Sequence, residues 1–445
     1  MKTIIVLPVI IFLFCYSPGF SQDSQILQDS TVTASDTILV VDTIVIVGNK
    51  HTKGFVIIRE MSLQRGMQIT KELLQYDQER IYSLGLFNRV QLHVAVTSHG
   101  YADIIVEVSE RWFIFPFPIV GVKDRDWDKL YYGIGLLHAN FRGRNEKLFG
   151  TVVLGYDPSI TLSYRNPFLS IEGSYILDTR IAYNKVWNKS IQASSGYDNF
   201  NEKHFSFSFS IGKRIGIKHT FWVTTGYEVI DVSEYKQGRT NSSTGKDKYP
   251  ILGLSYTYDT RDLYEYPSYG TLVKASIYKY GIPSGNVDII RYGADFRRYI
   301  PLGSGFVLTT RTFTDIVAAG PTASYHHVFF GYNERVRGHF TEVIEGENLL
   351  GVSTELHYPL IKPVYFKFDF LPAEFSILKF GVGAAAFADA GTAWFRHQPV
   401  AINLIARGYG FGIHFILPYS WILRTDYAWN EVRRGEFIVD LGSSF

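Results

Sequence analysis

The 445-residue chain has little cysteine, little methionine and little charge, and each shortage closes off a class of explanation. Its one cysteine, Cys15, sits in a leading segment that reads as removable, so the mature chain offers no disulfide framework, thiol nucleophile or thiolate metal site. Charged residues make up 19%, against about 25% in a typical soluble chain. The formal charge of +2 carries no basic domain or stripe of the kind that binds nucleic acid. After Ser21 no window supplies the unbroken run of about 18 apolar residues that a transmembrane helix needs. Any membrane span must therefore be built from strands closed on themselves. What the chain does have is aromatic residues at 16%, together with 39 glycines. That balance fits an all-β protein, although composition alone does not separate a large sandwich from a membrane barrel.

Met1 to Ser21 reads as a secretory signal: Lys2 supplies the positive charge, Ile4 to Phe14 the apolar stretch, and Gly19 and Ser21 the small residues before cleavage at Gln22. Bulky Phe14 stands where a lipidation site at Cys15 would want a small residue. Residues 22–36 are rich in Ser, Thr, Asp and Gln, a linker composition. Residues 37–111 then behave as a small α/β domain. Ile38 to Val47 is β-rich, Lys53 to Met61 is a short helix candidate, and Ile69, Leu73, Leu74, Ile81 and Leu84 form the apolar stripe of a second helix from Thr70 to about Leu84. Val90 to Val96 and Ile104 to Val108 alternate apolar with polar residues around Ser98-His99-Gly100, which is a hairpin pattern.

From Trp112 to Phe445 the helical period gives way to alternation. Phe205, Phe207, Phe209 and Ile211 alternate with serines; Phe380, Val382, Ala384 and Ala386 alternate with small residues; Tyr409, Phe411, Ile413 and Phe415 alternate with Gly408, Gly410, Gly412 and His414. An apolar, aromatic-rich face opposite a small or polar one is what a transmembrane antiparallel β-barrel requires. These residues accommodate about 16 strands of 9 to 11 residues with roughly ten residues per connection. The last strand, Glu436 to Phe445, puts Phe437, Val439, Leu441 and the terminal Phe445 on one face, a pattern that resembles the C-terminal signal of bacterial outer-membrane barrels.

Several motifs together carry a family resemblance. Val47-Gly48-Asn49 and Gly85-Leu86-Phe87-Asn88-Arg89-Val90 resemble signatures of the periplasmic POTRA module. Asn140-Phe141-Arg142-Gly143-Arg144 resembles a first barrel hairpin, and Tyr258-Asp259-Thr260-Arg261-Asp262 with Pro267 and Gly270 a mid-barrel signature. Val336-Arg337-Gly338 lies in a late loop, and Phe387-Ala388-Asp389-Ala390-Gly391 in a late strand. In this order the motifs resemble the BamA/TamA superfamily of outer-membrane assembly factors, with one POTRA-like domain at 37–111 and a barrel at 112–445.

The resemblance implies that the loop tip folds back into the barrel and that Arg337 pairs with Asp389, with Phe340, Phe387 and Gly391 completing a loop-barrel lock. Strand parity places Asp389 with Gly381 and Gly383 on the lumen side. His339 stands where the commonest family pattern has its aromatic. Arg424 and Asp426 also share lumen parity and resemble a penultimate family strand, as two ordinary charges in a wet lumen would.

The resemblance further implies insertion of outer-membrane proteins or polypeptide translocation without nucleotide hydrolysis, from the bacterial outer membrane with the POTRA-like domain in the periplasm. Its partners would be the lipid bilayer, unfolded client chains and periplasmic or lipoprotein accessory subunits. Insertion would be guided at a seam between Tyr131 to Leu137 and Glu436 to Phe445. A dedicated secretion pore and a passive porin-like channel are the alternatives; the first often carries two POTRA modules and a plug, and the second has no need of residues 37–111. His326-His327 reads as a surface loop rather than a metal site, Gly408-x-Gly-x-Gly412 as a smooth lumen wall, and nothing in the chain looks catalytic or cofactor-binding.

Overall fold

The structure is a computed structural model that describes residues 39–445 apart from 99, 124–126, 171–173, 194–199, 265, 284, 333, 341, 373–374, 399–403 and 443–445. The expected signal sequence, the whole of the linker at 22–36 and Phe445 lie outside the described residues.

The N-terminal unit comprises β1 (Val40–Val47), α1 (Gly54–Ile58), α2 (Lys71–Tyr82), β2 (Phe87–Ser98) and β3 (Tyr101–Glu110), in the strand, helix, helix, strand, strand order of the sequence pattern. Its sheet runs β1-β3-β2, with β1 parallel to β3 and β2 antiparallel to it. Thr70 caps α2 by accepting the Leu73 N–H at 3.2 Å. One side of the helix pair packs on the sheet through Val56, Ile57, Ile81, Leu86, Ile104 and Val106, a conventional apolar core.

The barrel portion inverts that logic. In chain order its strands are β4 (Ile114–Val122), β5 (Leu130–Phe141), β6 (Glu146–Gly155), β7 (Ser159–Asn166) and β8 (Tyr175–Trp187). There follow β9 (Asn201–Ile215), β10 (His219–Val232), β11 (Lys246–Asp259), β12 (Gly270–Gly281), β13 (Asp288–Gly303) and β14 (Phe306–Ala319). A long connection contains the short hairpin β15 (Val328–Phe330) and β16 (Ile344–Gly346). The wall then resumes with β17 (Asn348–Lys367), β18 (Ile377–Trp394), β19 (Ala406–Leu417), β20 (Trp421–Asn430) and β21 (Gly435–Leu441). Sixteen of these strands form one antiparallel sheet ordered from β4 to β21. They run from 7 to 20 residues, so several exceed the 9 to 11 expected and the connections are correspondingly shorter. Phe205, Phe207, Leu252, Leu254, Tyr409 and Phe411 face outward and are exposed. The opposite face carries Asp389, Glu355 and Asp426, all buried. The apolar side thus points away from the enclosed space, as a lipid-facing wall demands.

The N-terminal unit sits under the short turns at one end of this sheet. Lys53 N–H donates to Gly143 O at 2.8 Å, and Asn140 Nδ2 donates to the Thr52 hydroxyl at 2.9 Å. Glu60 is clasped between Arg80 of its own domain and Arg214 at the end of β9, each at 2.8 Å. Burial works against the Glu60 charge, but the two guanidinium groups prevail and hold its pKa down at about 2.

Candidate functional site

The 28-residue connection between β14 and β17, residues 320–347, turns back inside the wall instead of standing away from it. Its tip is anchored by charge. The Arg337 guanidinium donates to both carboxylate oxygens of Asp389, from Nε at 2.7 Å and from Nη2 at 2.9 Å, and the backbone N–H of Arg337 reaches the same carboxylate at 3.2 Å. Its Nη1 also donates to Glu355 and lies 3.7 Å from Asp426. The guanidinium carbon stacks 3.5 Å from the centroid of the Phe387 ring. A planar fork of donors fits this shape, and a lysine would not. Arg337, Glu355, Asp389 and Asp426 are all buried, so removing one member leaves an uncompensated charge.

Packing holds the rest of the tip. Val336 joins Phe313, Phe330, Leu349, Ala393 and Ala406, while Phe340 packs on Phe387, Ala428 and Ile438. His339 does not displace Phe340 from this contact; its ring lies 2.6 Å from Glu342 and 2.7 Å from Glu431. The N–H groups of Gly338 and Phe340 both donate to Glu436 of β21, at 2.8 Å each. Two glycines make the approach sterically feasible. A Cβ at Gly408 would fall on the Arg337 carbonyl oxygen, and one at Gly391 would overlap the Phe330 ring. Gly408 of β19 and Gly391 of β18 therefore clear the bed on which the loop lies.

The structure brings Val336, Arg337, Gly338, Phe340, Phe387, Asp389 and Gly391 into one assembly. Phe437, Val439 and Leu441 line the outward side of β21, apart from that assembly, with Phe437 and Leu441 exposed. Glu355, Asp426 and Glu436 are partners that the sequence reading did not supply. In the sequence Asp426 shares lumen parity with Arg424 and reads as an ordinary lumen charge, and Glu355 and Glu436 carry no signal until the loop is seen to lie across their strands. His326, expected in a surface loop, is buried against Tyr249 and Tyr280. The local 3₁₀ turn at Ser324–His326 directs it inward.

The seam also needs correction. The first wall strand is β4; Tyr131 to Leu137 lie in β5, the second. Phe113 O accepts the Ala139 N–H at 2.8 Å, in the same register that sets Ile114 opposite His138. In an antiparallel ladder a residue's N–H and C=O point to the same side. The odd-numbered residues of β4 therefore face β5, and the even-numbered ones face the free edge. Two of those are Pro116 and Pro118, which have no N–H. The Ile114 carbonyl on that edge is already bonded by the Trp112 indole N–H. On β21 the Gly442 N–H donates to Ile422 O at 2.7 Å, which leaves Gly435, Phe437, Val439 and Leu441 facing the seam. No ladder joins β4 to β21 among the described residues.

Residues 140–445 match the Omp85 superfamily domain, and residues 39–111 match the POTRA family described as a surface antigen variable number repeat. The chain belongs to the Omp85 superfamily. It is 23% identical over 304 residues to the outer membrane protein assembly factor BamA of Nitratidesulfovibrio vulgaris, a match covering 66% of this chain and 36% of that protein. The chain thus spans about a third of the length of this curated relative. Its fold resembles the crystal structure of BamA from Haemophilus ducreyi lacking POTRA domains 1–3, with a TM-score of 0.54, 17% identity, and coverage of 91% of this chain and 84% of that one. CdiB from Escherichia coli gives a TM-score of 0.54 at 10% identity, covering 94% and 92%. This Omp85 chain is an outer-membrane β-barrel protein with its POTRA domain on the periplasmic side.

Proposed function

We propose that this protein inserts β-barrel proteins into the outer membrane, using the β4/β21 seam as the site where a client strand is first paired. The observation that carries the proposal is the mismatch at that seam: Pro116 and Pro118 remove two donors from the β4 edge, while the β21 edge keeps an N–H and a C=O at Phe437 and Val439, the Leu441 N–H being taken by Asp440 at 2.9 Å. Backbone groups left unpaired at membrane depth cost several kcal/mol each. An incoming strand with its full set of N–H groups satisfies the β21 edge better than β4 can. Such exchange proceeds by hydrogen bonding and burial alone, so it calls for neither a catalytic group nor nucleotide hydrolysis, and client folding supplies the driving force.

The POTRA sheet would present a second docking edge. β2 is its terminal strand, with no strand beside it among the described residues, and an extended client segment can add there by main-chain hydrogen bonds. Arg337 and its carboxylate partners would brace β17, β18 and β20 while the seam works, and the outward Phe437, Val439 and Leu441 would serve as the chain's own barrel signal.

The test is to deplete the protein and restore it either intact or without residues 39–111, measuring the abundance of other outer-membrane proteins in each cell population. The proposal expects a broad fall that only the intact chain reverses. Normal levels throughout, or the loss of a single exported protein into the periplasm, would replace assembly with a channel or a dedicated secretion pore.

A further inference from the structure

Below the loop tip, β17, β19 and β20 bring a second set of side chains together. Glu355 and His357 are two apart on β17, and so share its inner face; His414 lies on β19 and Asp426 opposite Gly412 on β20. Candidate ligand atoms of Glu355, His357 and His414 all lie within 4.8 Å of one another. The two imidazoles are oriented by one hydroxyl. Tyr266, from the turn between β11 and β12, stands 2.8 Å from Nδ1 of His357 and 3.4 Å from Nδ1 of His414. Both rings then direct Nε2 toward carboxylates: His357 Nε2 is 3.0 Å from Glu355 Oε1, and His414 Nε2 is 3.6 Å from Asp426 Oδ1. His414, held at Nδ1 and without a hydrogen-bond partner at Nε2, has the usual outer-sphere arrangement of a metal ligand, and His357 would exchange its Glu355 contact for the ion.

Two independent observations point to an absent cation. His414 and Asp426 are both 0% exposed, yet His414 Nε2 and both Asp426 carboxylate oxygens lack a hydrogen-bond partner. Buried polar atoms without partners call for an explanation, a missing ion among them. Charge gives the second. The carboxylates of Glu355, Asp389 and Asp426 meet one guanidinium committed to them, Arg337, and another, Arg424, that is shared with Asp440. Three carboxylates thus face one committed and one shared guanidinium, so a cation is electrostatically favoured between them. Zinc bonds of about 2.0–2.2 Å to nitrogen and oxygen place tetrahedral ligand atoms about 3.4 Å apart. The His414 to Asp426 separation of 3.6 Å is close to that size, and the ligand atoms of Glu355, His357 and His414 lie within 4.8 Å of one another.

We propose that Glu355, His357, His414 and Asp426 bind one divalent transition-metal ion of the zinc type, with Tyr266 as the group that orients both imidazoles. The ion ties β17, β19 and β20 together beside the Arg337 contact and supplies the missing positive charge. The inference stands independently of the assembly role.

The test uses the full chain, purified in detergent without a histidine tag, stripped with a chelator, loaded with zinc and dialysed. About one zinc per chain is expected to remain, as a closed four-ligand site requires. His357→Gln/His414→Gln should lose at least nine-tenths of it, whereas His339→Gln should keep it. Only preparations that still show the heat-modifiable gel shift of a folded barrel are compared. Cobalt loading of the unaltered chain gives a reading that needs no variant: visible absorption typical of a four-coordinate site is expected. Wild-type protein that retains no zinc and shows no cobalt bands overturns the proposal, and so does a folded double variant that holds as much zinc as the wild type.

Discussion

Two stretches of the same sheet are built to opposite ends. Across β17 to β20 every strand is laddered on both sides, and the inner surface is crossed by a loop whose Arg337 spans carboxylates on β17, β18 and β20. At the β4/β21 seam no ladder joins the two strands among the described residues, and two prolines stand where donors would be. Both stretches have the same alternating, lipid-facing exterior. The difference lies in what completes the backbone and the inner face: buried charge and cleared glycine in one, missing N–H groups in the other. A barrel that must open locally needs a region that does not yield when it opens.

Four changes would break or sharpen that contrast. The largest effect is expected from Arg337→Ala, which leaves Glu355 and Asp389 buried without their cation. Losing one partner of a buried ion pair costs about 3–5 kcal/mol, so the heat-modifiable shift should collapse at a lower temperature; an unchanged shift would remove the bracing role. Next is Gly408→Ala, which forces a methyl group onto the Arg337 carbonyl. Overpacking of this kind costs about 1–3 kcal/mol, and thermal unfolding in detergent would measure it. Replacing Pro116 and Pro118 together with valine restores two donors to the seam. Stability should rise modestly while the other outer-membrane proteins fall in abundance, the reverse of the first two variants; a rise in stability with full activity would separate the seam from function.

The smallest effect concerns the periplasmic end. Burial, with Asp262 nearby, raises the Glu79 carboxyl to about 7, Lys379 opposing only in part. The ordinary glutamate value is about 4.3, so between that value and 7 the folded state holds the extra proton. By linkage, stability then falls as pH rises through that window and recovers on acidification. Amide exchange around α2, corrected for intrinsic rates, should be slower at pH 5.5 than at pH 8, and Glu79→Gln should abolish the difference. A pH-independent Glu79→Gln-like profile in the wild type would contradict the assignment.

How much of this was legible in the sequence follows from where each signal resides. The wall was readable because Phe205, Phe207 and Phe209, or Tyr409 and Phe411, write the lipid face directly into the period. The contact between Arg337 and Asp389 was readable from two motifs and the parity of Asp389. Glu355, Asp426, Glu436 and Tyr266 were not, because they meet only through the closure of the sheet and the path of the loop, neither of which has a local period. The first strand was missed for a different reason. Ile114 to Val122 contains two prolines, which ordinarily argue against a strand, and only an edge position makes them tolerable. The residues that hid the strand are the ones that leave its edge unpaired.

The central claim is that the backbone between β4 and β21 is unpaired while that between β17 and β18 is not. Site-resolved amide exchange of the full chain in a lipid nanodisc tests it most directly. Phe437 and Val439 should exchange orders of magnitude faster than Ala386, Ala388 and Ala390. Equal protection of the two sets would mean that the seam is a closed ladder, and the account of strand exchange there would fail.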